Sequence, residues 1–291
     1  MRAMNCSKIF SCTNVNKVAI RFSNVWFSYA GESFSLKNIN LKINEGECIG
    51  IIGPNGSGKT TLAKHMIGLL RPSRGDVFIY EMNTKKTAIS DLARAVGYVF
   101  QNPDNQLLMS SVKEEISFGP KNLGLNNENI KQRIKEVIRE FGLEQLEDRH
   151  PLSLSVGQRQ LVAIASVLAM DPKIVIFDEP TSAQDFVTYS WIMKVVNKLR
   201  EQGRTVILIT HHMPTVAQYA SRVLVMHQGK IVLDESPRKV FTKSKLGKYN
   251  IKPPPITILA NLLSSYGIPR NILTVEEMCK VILPKVRVHE T

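Results

Sequence analysis

The residues from Gly53 to Thr60 have the types and the spacing that bind the phosphate groups of a nucleotide. They read G-x-x-x-x-G-K-T and stand between an apolar run at 48–52 and a helix predicted over Thr61 to Leu70. Glycines allow backbone N–H groups to approach phosphate oxygens, and a helix that begins there points the positive end of its dipole at the same anion. A strand, this loop and a helix in succession therefore predict nucleotide binding.

Two side chains of this loop add chemistry of their own. Lys59 would place a full positive charge beside the β and γ phosphates, and the Thr60 hydroxyl would bind Mg²⁺. The predicted nucleotide contacts in this stretch are Gly53, Pro54, Asn55, Gly56, Ser57, Gly58, Lys59, Thr60 and Thr61.

An acidic pair, Asp178 and Glu179, follows the apolar run 174–177. The carboxyl end of a buried parallel strand lies at the sheet edge where a phosphate loop also lies, so Asp178 would hold Mg²⁺. Glu179 is placed to polarise an attacking water as general base. A solvated acidic pair at a strand end is the alternative, and the phosphate loop upstream argues against it. These residues predict an NTPase whose nucleophile is water.

A further motif indicates which class of NTPase this is. The segment is Leu154-Ser155-Val156-Gly157-Gln158, and it resembles the ABC signature, usually Leu-Ser-Gly-Gly-Gln. It opens a helix predicted over Leu161 to Met170, and Ser155 is a natural N-cap that leaves helix amides free to bind phosphate. In the ABC family this segment binds the γ-phosphate held by the opposite subunit, so the resemblance implies a site completed in trans.

The resemblance to ABC ATPases covers residues 18–240 and implies roles for three more side chains. Tyr29 stands where the family stacks an aromatic ring on adenine, although a surface strand tyrosine is a competing interpretation. Gln101 matches the glutamine that senses Mg²⁺ and the attacking water, which adds it to Thr60 and Asp178 as a predicted metal contact. His211 matches the switch histidine at the γ-phosphate.

Residues 182–185 match the family's dimer-contacting loop, with Ser182 and Asp185 as the predicted contacts. His212 stands where the family often has Asp, and no role is assigned to it.

Two departures from the family pattern carry consequences. Val156 replaces the first signature glycine, and because valine tolerates only negative φ and adds bulk, we expect a weakened but functional signature. The defect would belong to the nucleotide bound by the partner. Gln184 replaces the usual leucine, a change that could loosen dimer contacts.

The stretch from Phe100 to Leu107, Phe-Gln-Asn-Pro-Asp-Asn-Gln-Leu, resembles the energy-coupling factor and cobalt–nickel uptake ATPases more specifically. Residues 162–170 also resemble this group of ATPases. Residues 241–291 are similar to the group's dimerisation extension. The resemblance implies ATP and Mg²⁺ as ligands and a second ABC ATPase subunit as partner, in a homodimer or a heterodimer. It further implies a membrane-embedded coupling subunit, a substrate-binding membrane subunit and no nucleic acid. The implied place is the cytoplasmic side of the cell membrane, and the implied process is uptake of a metal ion or a vitamin.

The elements that must position these residues form an α/β fold of the P-loop NTPase class. We expect a mostly parallel core sheet, an antiparallel β-subdomain, a helical insertion at about 103–170 and a small C-terminal module. The predicted divisions are a weakly ordered tail at 1–17, an ATP-binding domain at 18–240 and the extension at 241–291.

Composition limits the alternatives without deciding among them. The chain has 291 residues and a formal net charge of +13, which suits an anionic partner. No apolar run approaches the roughly 20 residues of a membrane-spanning helix, and the N-terminus lacks the continuous apolar stretch of a signal peptide. The four cysteines show no metal-binding spacing. Three alternatives stay open: a non-transport ABC ATPase acting on ribosomes or DNA, a nucleotide-binding partner without turnover, and a different P-loop enzyme such as a small-molecule kinase.

Overall fold

The structure, a computed structural model, describes residues 17–30, 33–182, 184–243 and 245–287. The predicted N-terminal tail lies outside this range except for Lys17. The strands are β1 (Val18–Phe27), β2 (Leu36–Asn44), β3 (Cys48–Ile52), β4 (Arg74–Ile79), β5 (Met82–Asn83), β6 (Val96–Val99), β7 (Ile174–Asp178), β8 (Thr205–Ile209), β9 (Arg222–His227) and β10 (Lys230–Glu235).

The helices of the described residues lie between and after these strands. They are α1 (Lys59–Met66), α2 (Ile89–Leu92), α3 (Val112–Asn122), α4 (Asn127–Glu140), α5 (Val156–Ala169), α6 (Phe186–Glu201), α7 (Met213–Tyr219), α8 (Pro237–Lys243), α9 (Pro255–Leu262) and α10 (Val275–Arg287). None of them combines the length and the apolar character that crossing a bilayer requires.

A six-stranded sheet carries the strand ends that matter for chemistry. Its order is β10-β9-β3-β8-β7-β6, and all neighbours are parallel except β10 and β9. Strands β3, β7 and β8 are buried at every position, which fits a parallel sheet covered on both faces. Gln228 and Gly229 both have positive φ, 48° and 77°, and form the tight turn of the hairpin β9–β10.

A second, antiparallel sheet has the order β2-β1-β4-β5 and packs beside helix α1. Alternating apolar residues in β2 point one face of this sheet into the core. This sheet is the antiparallel β-subdomain that the sequence predicted.

Helices α3, α4 and α5 form the inserted subdomain. The apolar face of α4 is buried, with Ile130, Ile134, Val137, Ile138 and Phe141 each at most 7% exposed. This face packs on α3 and α5 in the same core cluster as the inner residues of β7 and β8. The subdomain is thereby fixed to the strand that carries the acidic pair.

Two helices at the site have boundaries that differ from the predicted ones, although Ser155 is the N-cap of the second, as predicted. Helix α1 begins at Lys59 rather than Thr61 and ends at Met66, because Gly68 adopts a positive φ of 70° and its N–H bonds to the carbonyl of His65. Helix α5 begins at Val156, directly after Ser155, rather than at Leu161.

The C-terminal helices α9 and α10 share a small core of Ala260, Ile268, Ile272 and Met278. A capping box at the start of α10 is half formed. Thr274 Oγ1 accepts the Glu277 N–H, but the Glu277 carboxylate accepts the N–H of Leu273 instead of that of Thr274. Arg238 of α8 also bonds to Glu277, which links this module to the rest of the chain.

Candidate nucleotide-binding site

The phosphate loop and the ends of β7 and β8 border one cavity of about 600 Å³. Most of the predicted nucleotide contacts meet here, together with Gln101, both acids and the switch histidine. The lining residues are Tyr29, Ser35, Asn55, Gly56, Ser57, Gly58, Lys59, Thr60, Thr61, Gln101, Asp178, Glu179, Ser182 and His211.

Glycine is required at two positions of the loop for steric reasons. A Cβ on Gly53 would lie 2.2 Å from the carbonyl oxygen of Met226, and one on Gly58 would lie 2.7 Å from that of Ser35. Gly58 also has a φ of 101° and leaves the first amides of α1 without a side-chain cap. These amides are free to bind an anion.

Lys59 is anchored by the loop itself. Its Nζ donates to the carbonyls of Gly53 and Pro54 at 2.8 and 3.1 Å, which accounts for two of its three N–H donors. Burial lowers the pKa of Lys59, and the nearby charges of Glu179 and Asp178 oppose that shift. The Ser57 hydroxyl is buried without a hydrogen-bond partner. Unpaired donors around a glycine cradle fit a phosphate ligand.

Asp178 is held by two hydroxyl groups on a single oxygen. Thr60 Oγ1 donates to Asp178 Oδ2 at 3.0 Å, and the Tyr98 hydroxyl donates to the same atom at 2.6 Å. Carboxylate, hydroxyl and amide oxygens are ligands that Mg²⁺ accepts, so Thr60, Asp178 and Gln101 fit this ion. The described residues contain no cluster of three or more His, Cys, Asp or Glu able to hold a metal alone. Phosphate and water oxygens would therefore have to complete the coordination.

Glu179 sits in a strained and nearly buried position. Its φ is 50°, its exposed fraction is 8%, and its N–H donates to the Ile209 carbonyl at 2.8 Å. Such left-handed non-glycine residues cluster at functional sites. Ser182 Oγ and the His211 N–H donate to Oε2 at 3.2 and 3.4 Å.

The second oxygen of Glu179, Oε1, has no hydrogen-bond partner although it is buried. His211 Nε2 lies 3.3 Å from it, but at an angle that does not make a hydrogen bond. A buried carboxylate oxygen that lines a cavity and lacks a donor can accept the proton of a water molecule.

Tyr29 lies at the rim of the cavity. Its hydroxyl is 3.4 Å from Thr61 Oγ1, and its ring meets the Phe27 ring edge to face at 4.9 Å. The residue is 38% exposed, so its ring can still receive a second planar group.

The signature residues 154–158 do not line this cavity. Ser155 caps α5 in a complete capping box: its Oγ accepts the Gln158 N–H at 3.2 Å, and Gln158 Oε1 accepts the Ser155 N–H at 3.1 Å. Leu154 is buried beneath the segment, whereas Val156 is 49% exposed. The capped helix end is therefore presented to the outside of this chain.

Val156 imposes no backbone strain, contrary to one reason given for expecting a weak signature. It is the first residue of α5 and is not among the described residues with positive φ. A β-branched side chain adopts helical φ without a clash, so only its added volume distinguishes it from glycine.

Gly157 packs against the start of α6. A Cβ there would lie 2.6 Å from Thr188 Oγ1 and 3.5 Å from Gln184 Oε1. Asp185 caps α6 by accepting the Thr188 N–H at 2.7 Å, and this bond lowers the pKa of Asp185. Ala183 of the predicted dimer loop lies outside the described residues.

A hydrogen-bond network that the sequence did not show joins the Gln101 loop to the signature helix. Gln106 accepts the Phe100 N–H at 3.2 Å and donates to the Ala163 carbonyl at 2.7 Å. Asp104 pairs with Arg159 at 2.8 Å. The Asn-Pro-Asp-Asn-Gln motif had indicated a family resemblance, but no spacing rule assigns these partners.

Comparisons with known proteins agree with this arrangement. The ABC transporter family profile matches residues 36–182. The chain is 45% identical over 272 residues to the energy-coupling factor transporter ATP-binding protein EcfA1 of Caldanaerobacter subterraneus, covering 90% of this chain and 98% of that protein. A putative ABC transporter ATP-binding protein of the same organism is 43% identical over 262 residues, 90% of this chain, which spans 45% of that relative's length.

Two solved structures are similar over most of the chain. CbiO1 from Clostridium perfringens, described as part of the ABC transporter complex CbiONQ, has a TM-score of 0.71 and 34% identity, covering 84% of this chain and 95% of that chain. A dimeric, post-hydrolysis ATP-binding cassette bound to ADP and Pi has a TM-score of 0.68 and 31% identity, covering 75% and 98%.

The fold, the cavity and these matches define an ATP-hydrolysing cassette of the P-loop class. The chain belongs to the ABC transporter family, in its group of energy-coupling factor ATP-binding proteins.

Proposed function

We propose that this chain hydrolyses ATP as one half of a cassette dimer and thereby drives uptake of a metal ion or a vitamin through separate membrane subunits. It would bind at the cytoplasmic side of the cell membrane, held by a coupling subunit that carries the spanning helices. The relatives reported above are transporter ATP-binding proteins, and none supports an ATPase acting on ribosomes or DNA.

The observation that carries the proposal is the position of Glu179. Its unpaired Oε1 belongs to the same cavity as Lys59 and the free amides of α1. With the triphosphate on the loop, Lys59 would neutralise charge on the β and γ phosphates. Glu179 would accept a proton from the attacking water, and His211 would donate towards the γ-phosphate. Tyr29 would stack on the adenine.

Magnesium, when bound, would neutralise phosphate charge and orient the terminal phosphate for attack. Thr60, Asp178 and Gln101 are the residues that would hold it.

The signature supports a site shared between two subunits. Ser155 and Gly157 lie outside the cavity of their own chain, on a capped helix end that can receive an anion. A second subunit that offered the same helix end would close this chain's cavity over the γ-phosphate. ATP would then stabilise the dimer by mass action, and hydrolysis would release it.

A groove beside the Gln101 loop provides a docking place for the coupling subunit. Its volume is about 310 Å³, and its walls include Tyr98, Gln106, Phe118, Val167 and Met170. Gln106 also holds the N–H of Phe100, directly before Gln101. A helix seated in this groove would contact the segment that reaches the nucleotide, so its movement could follow the ATP cycle.

Replacing Glu179 by Gln tests the proposal, because the amide keeps the size of the side chain and cannot take up the proton. We expect phosphate release to fall by about 10²–10⁴-fold while ATP binding is retained. Glu81→Gln, at an exposed position outside the cavity, is the matched control. Phosphate release by Glu179→Gln at the wild-type rate would remove Glu179 as the base.

The transport part of the proposal needs a separate measurement. The chain would be co-purified with its membrane subunits, reconstituted in vesicles and supplied with ATP. Uptake that requires ATP and is lost with Glu179→Gln would support it. Co-purification with RNA in place of membrane proteins would contradict it.

A further inference from the structure

Tyr98 connects the proposed magnesium carboxylate with the neighbouring groove. It lies in β6, where it pairs with Ile176 of β7, two residues before Asp178. Side chains two residues apart on a strand point to the same face, so the tyrosine and the carboxylate share one side of the sheet. The Tyr98 ring forms part of the groove wall, and its hydroxyl reaches the Asp178 carboxylate at 2.6 Å.

The hydrogen bond between Tyr98 and Asp178 is strong. An O–H donor to a carboxylate oxygen at this length is charge-assisted. Tyr98 is 8% exposed and Asp178 is 3% exposed, so water does not compete freely for either partner. Burial, with the charge of Asp178, raises the pKa of Tyr98 well above its usual range, and the phenol stays a donor.

Tyr98 is also the donor whose position does not depend on the nucleotide loop. The other donor to Asp178 Oδ2 is Thr60, which belongs to that loop and would itself contact the metal. The phenol is held by the Phe100 ring, which it meets edge to face at 4.8 Å. A rigid ring with few rotatable bonds can fix the direction of the carboxylate before any ligand arrives.

We propose that Tyr98 is a positioning residue that orients the Asp178 carboxylate for the metal ion of the metal–ATP complex. The inference rests on the proposed function, because it takes Asp178 as the metal-binding carboxylate. No sequence motif identifies Tyr98, which lies between Gly97 and Val99 in an apolar strand.

Tyr98→Phe isolates the hydroxyl, since the ring and its packing remain. Tyr80→Phe is the matched control: it removes one phenolic hydroxyl in the turn after β4, outside the cavity. The full-length chain would be titrated with a non-hydrolysable ATP analogue, first in the presence of a chelator and then with Mn²⁺ observed by electron paramagnetic resonance. The free metal concentration that gives half-maximal ATPase activity would be measured as well.

For Tyr98→Phe we expect metal-free nucleotide binding to match the wild type and Mn²⁺ affinity in the complex to fall about tenfold. The half-maximal Mg²⁺ concentration for ATPase activity should rise by a similar factor, with kcat at saturating Mg²⁺ largely kept. Tyr80→Phe should leave each of these quantities unchanged.

Unchanged Mn²⁺ affinity in Tyr98→Phe would overturn the proposal. Loss of metal-free nucleotide binding would assign the hydroxyl a structural role in the nucleotide site and overturn it too. The proposed function fails on a different measurement, undiminished ATP hydrolysis by Glu179→Gln. That result would not change the interpretation of the Mn²⁺ titration of Tyr98→Phe.

Discussion

The nucleotide cavity and the signature helix end are the two proposed anion-binding surfaces of one chain, but they differ in completeness. The cavity gathers a lysine, two acids, a histidine and free helix amides in about 600 Å³. The signature offers a capped helix end, exposed at Val156, with no cavity of its own. In the proposed function the first surface would hold a whole triphosphate, whereas the second would add contacts to a triphosphate bound by the partner. Each chain would thus supply most of one nucleotide site and complete the site of its partner.

The largest expected effect separates the two surfaces directly. Lys59→Ala should weaken ATP binding to the isolated chain by at least about a hundredfold, because a buried charge partner of the phosphates is lost. Ser155→Arg should leave that binding unchanged and instead prevent ATP-dependent association in a Glu179→Gln background, since the long side chain would replace the N-cap hydroxyl and fill the space in front of the helix end. Equilibrium dialysis measures the first effect and size-exclusion chromatography the second.

Lys64→Ala, on the same helix but outside the cavity lining, is the control for Lys59→Ala. Equal losses of ATP binding in Lys59→Ala and Ser155→Arg would mean that both surfaces bind the same nucleotide within one chain. The cavity and the signature helix end would then not have separate roles.

A smaller effect, on stability, is expected from Gly157→Ala. The new methyl group would lie 2.6 Å from Thr188 Oγ1, on a buried and stiff β-branched side chain. We expect the free energy of unfolding to fall by about 1–3 kcal/mol, measured by urea denaturation.

Thr188→Ala in the same chain removes the atom that clashes. The double variant should therefore lose less stability than the sum of the two single variants. Strict additivity would show that Gly157 is not needed for the packing of α5 on α6, leaving its backbone amide as its only contribution.

The smallest effect is expected for Val156→Gly. Because Val156 has helical φ and an exposed side chain, glycine there would remove volume without relieving strain. We expect turnover of the dimer to rise only a few-fold, roughly 1 kcal/mol or less in the barrier. The helix would lose up to about 1 kcal/mol of stability through glycine's low propensity. A steady-state ATPase assay measures the turnover; a fall in turnover would show that valine is an adaptation.

The sequence predicted the site's chemical groups better than its boundaries. The phosphate loop, Asp178, Glu179, Gln101 and His211 do lie around one cavity, as predicted. Motifs of this kind fix residue types at loop and strand ends, where backbone geometry leaves few options. Helix ends were less well predicted: α5 begins several residues early, because Ser155 caps it and Val156 is accepted in its first turn.

Other features could not be read from the chain at all. The bonds of Tyr98 to Asp178 and of Gln106 to Ala163 join residues 80 and 57 positions apart. A local sequence pattern does not indicate such pairs, because strand register and packing determine which distant side chains meet. The same holds for the unpaired Oε1 of Glu179, which depends on the angle of the His211 ring.

The sequence by itself determined the class of chemistry: a glycine loop with Lys59, a strand-end acid pair and a signature segment require a nucleotide and a water nucleophile. Only the tertiary structure decided that Val156 is unstrained and that Tyr98 donates a hydrogen bond to Asp178. The physical reason is that residue type sets what a group can do, whereas its direction and its partners follow from how strands and helices pack.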